Sequence, residues 1–479
     1  MPTAHDLVGA GILIGTFVGL LLACELWRKL ANAEPEHTRK LAHLGSGIGC
    51  LAIPFLIKSP WMVLAVALTM SSAFALSQKL GILKSLHAVG RKSRGSEYYP
   101  VAIFLTFLIA QGNVAIYVAS VLVLAVGDAF AALVGIKYGQ IHYEVEESKK
   151  SVEGSLAFMV IAFLSIHLPL LLLTDLPREH CVLSALLVAT LVTLFEAVSL
   201  GGADNLFIPI GVSVALQKII AAPVHEAAFQ TASLYVMAIT VFAIAYRVRW
   251  FNVGSTLVVI LYAFGAWALG GWMWALPVVI GLITTMLGGL RASNRRAGSV
   301  KVRYIAGMVA PPFLFLILGN MLKELDWFFG PYLAAIGVVT VFWVRANSRH
   351  FRDRVNPMLL FAIATGSFLC SAILPWILQP DRSYSALGAC AAVIALASLG
   401  EAFWTNAWNL ETQPGRWTAR RFVFSTLAGA AVFGLQWSSA IDTWEPSTLP
   451  QLQEWRFRET ALPLAIECQP HAQDTDPQV

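Results

Sequence analysis

The chain has 479 residues, 57% hydrophobic and only 13% charged, with a formal net charge of +5 and a mean hydropathy of +0.68. That balance excludes a soluble globular domain, gives no reason to expect a nucleic-acid partner, and points to an all-α protein embedded in a bilayer. Six cysteines scattered without a CxxC pair indicate neither a disulfide frame nor a zinc site.

Apolar runs of about twenty residues, enough to cross a hydrocarbon core of about 30 Å, recur from end to end. They predict a polytopic, multi-pass integral membrane helix bundle of about sixteen transmembrane helices. The first run, near residues 7–27, follows no basic segment and shows no small-residue cleavage site, so it reads as a retained helix. Most of the 33 Lys and Arg fall in one set of alternate loops, those beginning near 28, 79, 137 and 200 among them, which assigns that set to the cytoplasm. The expected location is a bacterial inner membrane, or an organelle membrane in a eukaryote.

Three parts are expected: a catalytic membrane domain over 1–222, a second helical membrane domain over 228–438, and a polar tail over 439–479. Nearly all the intramembrane acids and the Gly/Ser/Lys loops fall in the first part. The tail is polar and Pro-containing and reads as mostly unstructured.

The first polar motif in chain order is "HTRKLAHLGSG", which places Arg39 and His43 at i, i+4 where a helix enters the membrane. Arg39 and Lys40 alone would pass as cytoplasmic flanking charges, and a lone His43 as a packing residue. Next, "RKSRGSEYYP" ends a basic loop with Glu97, Tyr99 and Pro100.

"GDAFAALVGIKYG" then sets Asp128 inside a membrane-length helix, with Ala132, Gly135 and Gly139 on the same face and Lys137 near its end. A seam of small residues packing helix on helix explains the glycines. It leaves Asp128 unexplained, because an ionisable group in a span costs roughly 2.5–3.5 kcal/mol on insertion scales. "KKSVEGS" follows, with Lys149 and Lys150 before Ser151, Glu153, Gly154 and Ser155 at a helix start, where free backbone N–H groups favour phosphate. A basic flank with a capping residue is the plainer account of it.

Finally, "FEAVSLGGADNLFIP" carries Glu196 within a span and Asp204 and Asn205 in a connector without Lys or Arg. Carboxylate and amide oxygens are hard ligands suited to Mg²⁺. Together these motifs read as a metal-plus-lysine nucleoside triphosphate site, with Asp128, Glu196 and Asp204 toward the metal and the lysines toward the phosphates.

The order "RKLAH", "GSEYYP", "GDAFAALVGIKYG", "KKSVEGS" and "EAVSLGGADN" over residues 7–222 resembles the polyprenol kinase family, which includes phytol kinase, dolichol kinase and CTP-dependent diacylglycerol kinase. The resemblance implies Mg²⁺-dependent transfer of the γ-phosphate of CTP or ATP to the hydroxyl of a long-chain prenol or other membrane lipid alcohol. On that resemblance Asp128 and His43 are the catalytic candidates, either of which could take the alcohol proton. Arg39, Lys137, Gly139, Lys149, Lys150, Ser151, Glu153, Gly154, Ser155 and Asn205 would face the nucleotide, and Glu97 and Tyr99 the acceptor.

The chain is also similar to phosphatidate cytidylyltransferases in its GD motif, but lacks their C-terminal acidic signature. Residues 249–302 are similar to the start of the phytyl-phosphate kinase family, whose later acidic motif is missing here, so the second half is expected not to catalyse a phosphorylation. A further class, an ion-coupled transporter, would show polar broken helices in two matched repeats, whereas these acids cluster toward one face.

Overall fold

The computed structural model describes residues 2–31, 35–80, 95–145, 148–199, 202–248, 251–280, 302–322, 324–347, 384–404 and 414–443. The basic loop 81–94, the segment 281–301 and most of the expected tail lie outside the described residues.

The chain begins with α1 (Ala4–Ala31), α2 (Pro35–Cys50), a one-turn α3 (Ile53–Leu56) and α4 (Pro60–Leu80). Asp6, at the start of α1, accepts from the backbone N–H of Thr3 at 2.8 Å and its hydroxyl at 2.9 Å, and from the backbone N–H groups of Lys58 and Ser59 at 2.7 and 3.2 Å. A carboxylate with that many donors clamps the α3–α4 connection to the start of α1. Gly9 faces the same connection: a Cβ there would lie 2.2 Å from the Leu56 carbonyl oxygen. Replacing Asp6 by Ala should therefore lower the Tm of the detergent-solubilised protein by a few degrees while leaving its helix content intact, as read by circular dichroism.

Next come α5 (Gly95–Ala110) and α6 (Val114–Leu122), joined by a tight turn in which Gln111 and Gly112 have φ of 49° and 82° and the Asn113 side chain caps α6 through the Ile116 N–H at 3.2 Å. The helix then passes through a π-helical turn, Val123–Gly127, into α7 (Asp128–Tyr138). Such turns widen the helix by one residue and recur at functional sites. A two-stranded antiparallel hairpin follows, β1 (His142–Val145) with β2 (Ser148–Ser151), pairing Tyr143 with Lys150 and Glu144 with Lys149. It is a small departure from the all-α expectation.

The Ser151 hydroxyl caps α8 (Val152–Leu173) by accepting from the Gly154 N–H at 3.1 Å. Then come α9 (Arg178–Val198), α10 (Asp204–Ile219), α11 (Val224–Val248) and α12 (Val253–Gly270). The remaining helices are α13 (Val302–Leu322), α14 (Leu325–Asn347), α15 (Tyr384–Trp404) and α16 (Pro414–Trp437).

Among the described residues, seven helices are long and apolar enough to cross a membrane, counting α6, the π turn and α7 as one. The sequence expectation of about sixteen counted every apolar run. Several of those, such as Gly95–Ala110 and Tyr384–Ala397, are shorter, the run after His43 breaks at the α2–α3 turn, and others fall outside the described residues.

Apolar packing runs continuously from Ala10 to Phe264, so α11 and α12 close onto the helices that carry the polar motifs. A separate cluster, centred on Trp274, Phe329 and Tyr332, holds α13 to α16 together. The Tyr332 hydroxyl donates to the Trp274 carbonyl there at 2.6 Å.

Candidate active site

Two half-buried ion pairs organise the polar region. In the first, Lys40 on α2 reaches the Asp128 carboxylate, Nζ to Oδ2 at 2.5 Å, and the Asp128 carbonyl at 3.2 Å. His43, one turn on, stands 3.8 Å from the same carboxylate oxygen. Its Nε2 lies 3.1 Å from the Leu124 carbonyl in the π turn. A carbonyl only accepts, so this partner assigns the ring proton to Nε2 and leaves Nδ1 as the basic nitrogen. The edge of the buried Tyr99 ring packs on His43, with centroids 5.1 Å apart.

In the second pair, Lys150 donates to Glu196 Oε1 at 2.8 Å and to the Glu196 carbonyl. Strand alternation decides which lysine does this: Lys150 turns toward α9, whereas Lys149, opposite Glu144, is exposed. Beside them the Tyr143 hydroxyl and Ser155 Oγ hydrogen-bond at 2.7 Å. Burial pushes the Tyr143 phenol up to about 12, so it stays protonated at neutral pH.

The charges of Asp128 and Asp204 act on Glu196, so the three expected metal carboxylates are electrostatic neighbours. They are not a preassembled cage: among the described residues, no three His, Cys, Asp or Glu side chains group tightly enough to hold a metal ion. Asp204 opens α10 and accepts from the Asn205 N–H at 2.9 Å.

The glycines serve packing. A Cβ at Gly154 would lie 2.9 Å from the Ala131 carbonyl oxygen, and one at Gly139 would lie 2.8 Å from Ser151 Cβ. Gly135 and Gly139, with Ala131 in place of the expected Ala132, thus let α7 press on the start of α8 and bring the hairpin to the Asp128 helix. Glu153 accepts from the Ile141 N–H at 3.1 Å, closing the same corner.

Lys137 is exposed and lies over the Tyr138 ring, 5.3 Å from its centroid, away from both pairs. Glu97, in the first turn of α5, contributes its carbonyl to the Ser71 hydroxyl at 2.9 Å.

Next to the first pair lies a cavity of about 220 Å³ between α1, α2, α4 and α5. Arg39, His43, Tyr99 and Asn205 line it, and most of the remaining wall is apolar, with Leu20, Val66 and Phe74 among the residues. Arg39 acts electrostatically on His43 and Asp128.

The sequence reading missed Lys40 as a partner of Asp128, and it missed the π turn. Lys40 had a signal: it precedes His43 by three residues and Gly47 by seven, so all three share the α2 face that meets the π turn. Gly47 there approaches Ala125 so closely that a Cβ would lie 2.2 Å from the alanine Cβ.

No family model matches this sequence, and no solved structure matches it. It is similar to a phytol kinase from Synechocystis sp., 35% identical over 214 residues, a stretch covering 44% of this chain and 91% of that protein. With that identity over almost the whole relative, the chain belongs to the phytol kinase family.

Proposed function

We propose that this protein is a membrane-embedded lipid-alcohol kinase that transfers the γ-phosphate of CTP or ATP to the hydroxyl of a long-chain prenol such as phytol, geranylgeraniol or dolichol. The observation that carries the reading is the sharing of His43 between an apolar cavity and the Lys40–Asp128 pair. A greasy alcohol in the cavity then ends beside the charged groups that phosphoryl transfer needs. The kinship with a phytol kinase supports the same class of acceptor.

The residues fit Mg²⁺. They supply hard carboxylate oxygens at Asp128, Glu196 and Asp204, and Mg²⁺ is ordinarily held by one or two carboxylates plus substrate phosphates rather than by a full protein cage. When bound, the ion would neutralise charge building on the phosphate oxygens.

The remaining work falls to the chain. Lys40 and Lys150 each neutralise a carboxylate, so each can turn to the phosphates as the carboxylates turn to the metal. The cap at Ser151 and the N–H groups that open α8 give a second anion-facing element. His43, which lines the cavity with its Nε2 proton held by Leu124, and Asp128 beside it are the two candidates to take the alcohol proton.

The second half is proposed to brace this site without reacting. Val145 of the hairpin is fully buried among Leu257, Val258 and Val302. At Gly254 a Cβ would lie 3.3 Å from Val145 Cγ2 and 2.7 Å from Val302 Cγ2. The hairpin bearing Lys150 is thereby wedged between α9 and the helices that follow.

The test is phosphate transfer by the purified full chain, pairing γ-labelled CTP or ATP with phytol, geranylgeraniol, dolichol and diacylglycerol. Label in a prenol with at least one nucleotide is expected. No labelled lipid from any pair would overturn the reading.

A further inference from the structure

The cavity has a direction. On α2 it is lined at Arg39, His43, Ser46 and Cys50, and then by Ile53 in α3, which are steps along a single helix face. On α4, running back the other way, it is lined at Val63, Ala67, Met70 and Phe74. Charged and amide groups, Arg39, His43 and Asn205 among them, gather at one end.

At the other end the wall is tightly packed. Ile53 and Val63 are 4% and 3% exposed, and the turn between them is held by the Asp6 hydrogen bonds to Lys58 and Ser59.

From Phe74 to Val63 the apolar stripe spans eleven residues, about 16 Å at the helical rise. An extended chain with carbon–carbon bonds of about 1.5 Å advances about 1.25 Å per bond, so the stripe takes a dozen or so bonds below the hydroxyl. That corresponds to the twelve-carbon main chain of a fifteen-carbon prenol, is about four bonds short of a twenty-carbon one, and falls far short of a dolichol.

We propose that this cavity measures the acceptor: it takes one prenyl chain, hydroxyl beside His43, with Ala67 on its wall and Ile53 and Val63 as the floor that limits length. The inference rests on the kinase reading above and narrows its acceptor to medium-length prenols. Within the limit, each further buried methylene contributes roughly fourfold in affinity. Beyond it, the chain meets packed side chains and gains nothing.

The test uses the purified full chain with γ-labelled nucleotide and prenols of ten, fifteen, twenty and fifty-five carbons. The wild type should prefer fifteen carbons to ten and gain nothing further at twenty or fifty-five. Ala67→Phe, which lays a ring across the stripe, should lower kcat/KM for the twenty-carbon alcohol at least tenfold relative to the ten-carbon one, with the KM for nucleotide unchanged. The pair Ile53→Ala and Val63→Ala, which deepens the floor, should shift the preference severalfold toward the longest chain, and it decides the matter should Ala67→Phe not fold.

If the wild type phosphorylates these alcohols and the length profile is the same in all variants, the measuring role is wrong and the kinase reading stands. If the wild type phosphorylates none of them, the kinase reading fails and the inference falls with it.

Discussion

Replacing Asp128 by Asn should lower kcat by on the order of 10³-fold while the protein still folds. Asn has the same shape and keeps the backbone carbonyl to which Lys40 also donates, so the local packing survives. What disappears is the negative charge that Lys40 neutralises and that His43 faces at 3.8 Å. Removing one preorganised electrostatic partner of a charged transition state commonly costs about 10²–10³ in kcat, and here the same carboxylate is proposed both to hold metal and to stand near the reacting hydroxyl. The check is steady-state phosphate transfer together with the elution profile of the variant in detergent. Activity within fivefold of wild type would remove Asp128 from the chemistry.

The second large effect is expected at Lys150, and it separates stability from catalysis. Lys150→Met strands the carboxylate of Glu196, which is 9% exposed; breaking a fully buried ion pair from one side costs about 3–5 kcal/mol, and this half-buried pair should cost less than that. Adding Glu196→Gln removes the stranded charge and should restore most of the lost stability. Activity should stay on the order of 10²-fold below wild type in both variants, because neither regains the cation proposed to face the phosphates. Thermal unfolding in detergent and phosphate transfer, measured on the same preparations, give the two readouts. Recovery of activity in the double variant would make the pair purely structural.

Much of this site was legible because membrane burial makes charge conspicuous. Asp128 and Glu196 stood out as acids inside apolar runs, and each proves to sit in an ion pair. The small-residue stripe around Gly135 was legible as a packing seam, and the close approach of Gly154 to Ala131 shows that role.

What the sequence hid were choices between adjacent residues. Arg39 and Lys40 look alike beside a membrane, yet helix rotation turns Arg39 to the cavity and Lys40 to Asp128. Lys149 and Lys150 look alike in a loop, yet a strand sends them to opposite faces, and the alternation of buried Tyr143 and Val145 was the available sign of that strand. The π turn was not expected, because Val123–Gly127 reads as part of one uninterrupted apolar helix.

The span count was less legible than the site. Hydropathy registers an apolar run whether or not it continues as one straight helix, so the run after His43 was counted as a full crossing although the chain bends between Cys50 and Ile53. Hydropathy is likewise silent on how the second half packs, where Leu257, Val258 and Val302 meet the hairpin through side chains alone.

If the two lysine–carboxylate pairs and the apolar cavity form one phosphoryl-transfer site, the products made by the purified full chain from phytol and unlabelled CTP or ATP, weighed by mass spectrometry beside those of the Asp128→Asn variant, reveal it. Phytyl monophosphate and nucleoside diphosphate are expected in equal amounts from the wild type, with neither above background in the variant. Release of pyrophosphate with a nucleotidyl-lipid product, or equal product from both proteins, would contradict it.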